Sequence, residues 1–291
     1  MTNASEKRAP LGTLRALLSI LLAIAVLVAA QTLALLLGEI LLGAGVPGPA
    51  CNVLTAVLYV LFALGGAALL CRFVLRLPLA ALRIGRLRIR PVWALAAFAL
   101  PALVLAGAIL AGGRWEVHRF DAQTVWLTVT GGVFYYGLAA GIVEEVIFRG
   151  VILGCLERRW NREIAVLVPS VLFGLVHLIG ASLDLPSTVQ LLVAGTIVGI
   201  LFSLIACESG SIWNSALVHG VWNAALLGGI LHIGSAADSA SMYNFVLTDA
   251  PFLLSGGDFG IEASVLAIAP YLLGILLAAV LLHRKNKEGI A

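Results

Sequence analysis

The sequence predicts an all-α polytopic membrane bundle of about eight transmembrane helices, with both termini in the cytoplasm. Three observations predict it. Of the 291 residues, 61% are hydrophobic and only 11% charged, with a mean hydropathy of +1.07. A soluble domain of this size would need far more polar surface. Eight apolar segments follow one another, each near the length that crosses ~30 Å of hydrocarbon at ~1.5 Å per residue. Finally, sixteen of the eighteen lysines and arginines fall at one set of segment ends.

The first segment, about 16–38, follows Lys7, Arg8 and Arg15. Its core is longer than a signal-peptide h-region and no clear A-x-A site follows at a sensible distance, so it reads as a retained span. The second and third segments, about 51–71 and 91–112, flank "RLPLAALRIGRLRIRP". That basic stretch is expected on the inner leaflet, against anionic head groups. Nucleic acid is a poor partner for it, because no folded basic domain accompanies it.

The fourth to seventh segments are about 125–148, 164–182, 188–207 and 210–230. Pro186 stands near the start of the sixth, and Glu208-Ser209-Gly210 joins the sixth and seventh in a tight hairpin. Small-xxx-small pairs, Gly137/Gly141 and Gly195/Gly199, predict close helix approach. The eighth segment, about 264–283, ends in Arg284, Lys285 and Lys287.

Charge fixes the orientation. The basic ends lie inside, while the opposite side keeps only Arg114 and Arg119. The connection 231–263 has no basic residue but holds Asp238, Asp249, Asp258 and Glu262, which suits an outer loop. Its apolar pieces, Met242–Leu247 and Phe252–Leu254, are expected to dip back into the interface. No polar linker or internal repeat divides the chain, so 1–291 reads as a single integral-membrane domain. The expected setting is the plasma (inner) membrane of a prokaryote, and the oligomeric state is left open.

Cys51, Cys71, Cys155 and Cys207 show no C-x-x-C spacing. They exclude a disulfide framework and a cysteine-ligated zinc, and read as small apolar residues.

Against this background a few polar side chains stand out. "GIVEEVIFRG" (141–150) sets Glu144, Glu145 and Arg149 in an apolar helix, where an unpaired charge costs several kcal/mol. Glu145 and Arg149 are spaced i, i+4 with the acid first, the favourable order for an ion pair. Glu144 lies about 100° around the helix from Glu145 and is left free for other work. "FGLVHL" places His177 four residues after Phe173, inside the fifth segment. "LVHGVWNA" places His219 and Asn223 on one face of the seventh. Counted along the helices, Glu144, His177, His219 and Asn223 all fall near mid-membrane, at a depth reached from the cytoplasmic side.

E-E-x-x-x-R, F-x-x-x-H and H-x-x-x-N, in that order on separate apolar helices, resemble the CAAX-protease and bacteriocin-processing (ABI) family. These intramembrane proteases are related to type II CAAX prenyl proteases. The resemblance covers a protease core of about 125–230. It implies that Glu144, His177, His219 and Asn223 are catalytic, with Glu145 and Arg149 completing the first motif. The implied substrate is a membrane-embedded or lipidated peptide, prenylated in the CAAX-type case.

Two chemistries suit these residue types. A buried glutamate, helped by an imidazole, takes a proton from water, while a second histidine and an asparagine amide stabilise the oxyanion. Alternatively Glu144, His177 and His219 hold one Zn²⁺, leaving a fourth position for water. No H-E-x-x-H is present, nor any motif for a serine or cysteine nucleophile. Buried Glu/His sets also serve proton- or ion-coupled transporters, although such a protein is expected to show repeated halves. A non-catalytic scaffold or immunity protein is the third class.

Overall fold

The structure, a computed structural model, describes residues 11–288. Lys7 and Arg8, two of the basic residues used for the orientation, lie outside the described residues. Each of the eight apolar segments contains a helix, the fifth only as far as Val176. The first helix is Thr13–Gly43, the second Gly48–Leu69 with a π turn Leu70–Leu75, and the third Pro91–Ala111. The fourth is a continuous rod over 122–159, in which α turns alternate with wide π turns at Gly131–Ala139 and Val146–Ile152. The fifth is Arg162–Val176, the sixth Leu185–Ser209, the seventh Ile212–Leu226 and the eighth Val265–Lys287.

Among the described residues, five helices are long and apolar enough to cross a membrane: the first, second (to Leu75), third, sixth and eighth. The fifth and seventh have 15 residues each, or ~22 Å, which is short of the hydrocarbon thickness. Leucines at 14, 21, 95 and 110 stand out from the bundle, as side chains facing lipid do. This is an integral membrane protein.

Glycine sets how closely the middle helices pack. A Cβ on Gly141 would lie 2.8 Å from the Gly220 backbone, and one on Gly195 would lie 2.8 Å from Gly174. The fourth helix therefore meets the seventh, and the sixth meets the fifth, backbone against backbone. At the hairpin between the sixth and seventh helices, Gly210 takes φ +69°, a conformation glycine adopts without steric cost. The side chain of Ser211 then caps the seventh helix through the Trp213 N–H.

The basic end is pinned by ion pairs and hydrogen bonds. Arg83 contacts Glu157 at 2.7 Å. Glu208, 1% exposed, pairs with Arg90 and accepts from Trp93 Nε1 at 2.8 Å. Lys285 donates to the Glu208 carbonyl at 3.1 Å. In sequence Glu208 stands in the hairpin that joins the sixth and seventh segments. It ties the third, sixth and eighth helices together. The four cysteines are buried thiols, as expected of small apolar residues.

The opposite end departs from an all-α reading. Strands β1 (Gly113–Val117), β2 (Leu231–Gly234) and β3 (Tyr243–Leu247) form a sheet in the order β1-β3-β2. β3 pairs antiparallel with β1 and parallel with β2, with Phe245 opposite both Trp115 and Ile233. Residues 243–247, expected to dip into the interface, are instead the central strand of this sheet. Phe252–Ser255 forms one short helix.

Candidate active site

Glu145 and Arg149 are both 0% exposed, with Nη1 and Oε1 2.9 Å apart. The ion pair expected from i, i+4 spacing is present. Arg149 Nη2 also donates to the Gly199 carbonyl at 3.1 Å. Its guanidinium stands 4.5 Å from the ring centre of Phe173 and 5.2 Å from that of Phe202. The charge is thus held by one carboxylate, one carbonyl and aromatic faces.

Glu145 does more than neutralise Arg149. Its Oε1 lies 3.2 Å from His219 Nδ1, while His219 Nε2 lies 3.8 Å from Glu144 Oε2. The two acids diverge around their helix and reach the two nitrogens of a single imidazole. The reading of Glu145 as a partner for Arg149 alone is therefore incomplete. The His219 ring stacks on Phe202 with centres 4.6 Å apart, which fixes its plane. Glu144 is 20% exposed, and among the described residues its Oε2 has no hydrogen-bond partner.

His177 is not inside a helix. The fifth helix ends at Val176 and His177 is its C-terminal cap, followed by a turn and an irregular stretch up to Asp184. Its Nδ1 lies 2.7 Å from the Phe173 carbonyl. A carbonyl only accepts, so Nδ1 carries the proton and Nε2 is left free. Asn223 Nδ2 donates to the Tyr136 carbonyl, within a π turn of the fourth helix, at 3.1 Å. One amide hydrogen of Asn223 remains.

His177, His219 and Asn223 line one cavity of about 250 Å³, together with Phe173, Phe202 and Trp222. Its wall also includes Leu191 near the start of the sixth helix, Tyr271 near the start of the eighth, and Phe259. These positions place it toward the sheet end of the bundle. Access from the basic, cytoplasmic-type end was the expectation. The fifth helix ends at Val176 with His177 as its cap, and Phe259 and Glu262 complete the cavity wall.

Phe259 and Glu262 are site residues that sequence reasoning missed. Glu262 accepts from Trp222 Nε1 at 2.7 Å, and burial pushes its carboxyl above the usual glutamate range. The one available signal was an acid in the apolar run before the eighth helix, where acids are ordinary.

The expected zinc ligands do not assemble. Among the described residues, no group of three or more His, Cys, Asp or Glu side chains stands close enough to hold a metal ion. His219 Nδ1 is engaged by Glu145, and the Phe173 ring packs against both histidines, at 4.7 Å from His177 and 5.8 Å from His219.

Residues 126–225 match the family model described as type II CAAX prenyl endopeptidase, Rce1-like. This segment is Rce1-like. It holds all three motifs, and with them Glu144, His177, His219 and Asn223. The Rce1-like family is a family of membrane proteases, and the match supports protease activity for this chain. The first three helices, the whole three-stranded sheet and Glu262 lie outside the Rce1-like segment. Comparison with curated proteins found no match, nor did comparison with solved structures.

Proposed function

We propose that the chain is an intramembrane endopeptidase hydrolysing a peptide bond of a membrane-associated or lipid-modified peptide, with water activated by Glu144. The observation that carries this reading is the line Arg149–Glu145–His219–Glu144. Arg149 donates to Glu145, which accepts from the Nδ1–H of His219, and the Nε2 lone pair is left toward Glu144. Nε2 and Oε2 are 3.8 Å apart, too far for a direct hydrogen bond and suited to sharing one water.

In the proposed reaction that water gives a proton to Glu144 while its oxygen bonds to the peptide carbonyl carbon. The π pair moves onto the carbonyl oxygen, where the remaining amide hydrogen of Asn223 is available to it. The second O–H of the water is held by His219 Nε2, which orients it, while His177 lines the same cavity. When the C–N bond breaks, Glu144 returns its proton to the leaving nitrogen. Each of these steps proceeds without a metal.

The proposal extends to the setting: a single domain of eight crossing helices, both termini cytoplasmic, in a prokaryotic inner membrane. The basic asymmetry supports it, as does the packing of the fourth, fifth and seventh helices against the second, sixth and third. The test compares peptides released in membranes carrying wild type or Glu144→Gln. A product set present with wild type and missing with the variant is expected. Identical peptide profiles would sink the protease reading.

A further inference from the structure

The cavity beside Glu144 and His219 contains a carboxyl that the Rce1-like segment does not supply. Glu262 sits in the short turn Ile261–Ala263 and lines the same cavity as His177, His219 and Asn223. Its direction is set from two sides. Trp222, the residue before Asn223, donates to Oε1 at 2.7 Å, and the Tyr271 hydroxyl reaches the Glu262 carbonyl at 3.5 Å. The Trp222 and Tyr271 rings pack with centres 4.7 Å apart.

Among the described residues, no lysine or arginine lines this cavity. Arg149 stands behind the wall, over the rings of Phe173 and Phe202, and is already paired with Glu145. Burial raises the Glu262 carboxyl's pKa, as expected of an acid in apolar surroundings without a cation of its own. An acid kept in a cleft under these conditions marks a functional position. Five aromatic side chains stand in the walls beside aliphatic ones: Phe173, Phe202, Trp222, Phe259 and Tyr271. Aromatic faces attract cations, and a carboxylate supplies the directed, charge-assisted hydrogen bond that a lysine or arginine head needs.

We propose that this cavity is a specificity pocket for a lysine or arginine side chain of the peptide substrate, with Glu262 as its counter-ion. The inference rests on the protease reading of the same site. The scissile bond lies at Glu144 and His219, and the basic side chain of a nearby residue fills the cavity. The aliphatic stem packs on the rings while the head reaches Glu262.

The test uses a position-scanned set of membrane-partitioning peptides. At each position in turn they carry Lys, Arg, norleucine or Glu. Binding to Glu144→Gln protein is read by fluorescence anisotropy, and cleavage is read with the Glu144 protein. At one position Lys or Arg should bind about tenfold or more tighter than norleucine. Glu262→Gln keeps an acceptor for Trp222, and in that background the ratio should fall toward one. Glu262→Arg should turn the preference toward Glu. A cation preference that survives Glu262→Gln, or none at any position, overturns the proposal. The two readings fail separately. Cleavage without preference removes the pocket assignment alone, whereas Glu262-dependent binding with no cleavage removes the protease reading.

Discussion

Glu145 Oε1 lies 3.2 Å from His219 Nδ1, so the acid that neutralises Arg149 also sets the tautomer of the histidine beside Glu144. Adjacent acids in one helix thereby acquire separate tasks, one at each nitrogen of the same ring. Substitution should separate them. Glu144→Gln removes the proposed base and should lower turnover at least ~10²-fold, with melting temperature kept or raised. Glu145→Gln strands a fully buried arginine, which destabilises by roughly 3–5 kcal/mol, and also frees His219 Nδ1. Little folded protein should remain, and a Glu145→Arg, Arg149→Glu swap should restore part of it. Melting temperature and turnover of each purified variant decide the matter. An active Glu144→Gln beside a folded but dead Glu145→Gln would reverse the two roles.

The zinc alternative makes an opposite prediction to the glutamate–water mechanism. Glu144, His177 and His219 do not form a close group of ligands, and His219 Nδ1 already serves Glu145. Protein stripped with a chelator should therefore keep its full turnover. About one metal per chain, lost together with activity and restored with it, would establish the zinc model instead.

Topology is open to cysteine labelling in a background without the four native cysteines. Arg86→Cys and Trp160→Cys, on exposed positions of the basic end, should react only from the cytoplasm. Val117→Cys and Ala240→Cys, exposed at the sheet end, should react only from outside. Outside labelling of position 86 or 160 would overturn the orientation.

Much of this was legible in the residues themselves, for local reasons. The Glu145–Arg149 pair follows from 3.6 residues per turn, and the close approach at Gly141 and Gly195 follows from the missing side chain. The cap at Ser211 and the turn at Gly210 are equally local. His177 shows the limit. Its neighbours Leu175, Val176, Leu178 and Ile179 are as apolar as any helix interior, and hydropathy cannot see that the helix stops at Val176. The sheet was hidden for another reason. Its strands are four or five residues long, and β1 and β3 meet across more than a hundred residues of chain. Neither strand has a signal until its partner is in place.

The residue types and their helical spacing determined a membrane bundle and the polar set Glu144, Glu145, Arg149, His219 and Asn223, because burying charge in lipid is so costly that each such residue announces itself. Tertiary structure alone decided that one imidazole would join both glutamates, and that the cavity would lie toward the sheet. It also brought Glu262, outside the Rce1-like segment, to the cavity wall. Those outcomes depend on which helix faces approach and where a distant loop folds back. Such relations arise from packing between segments, and no periodicity within one segment encodes them.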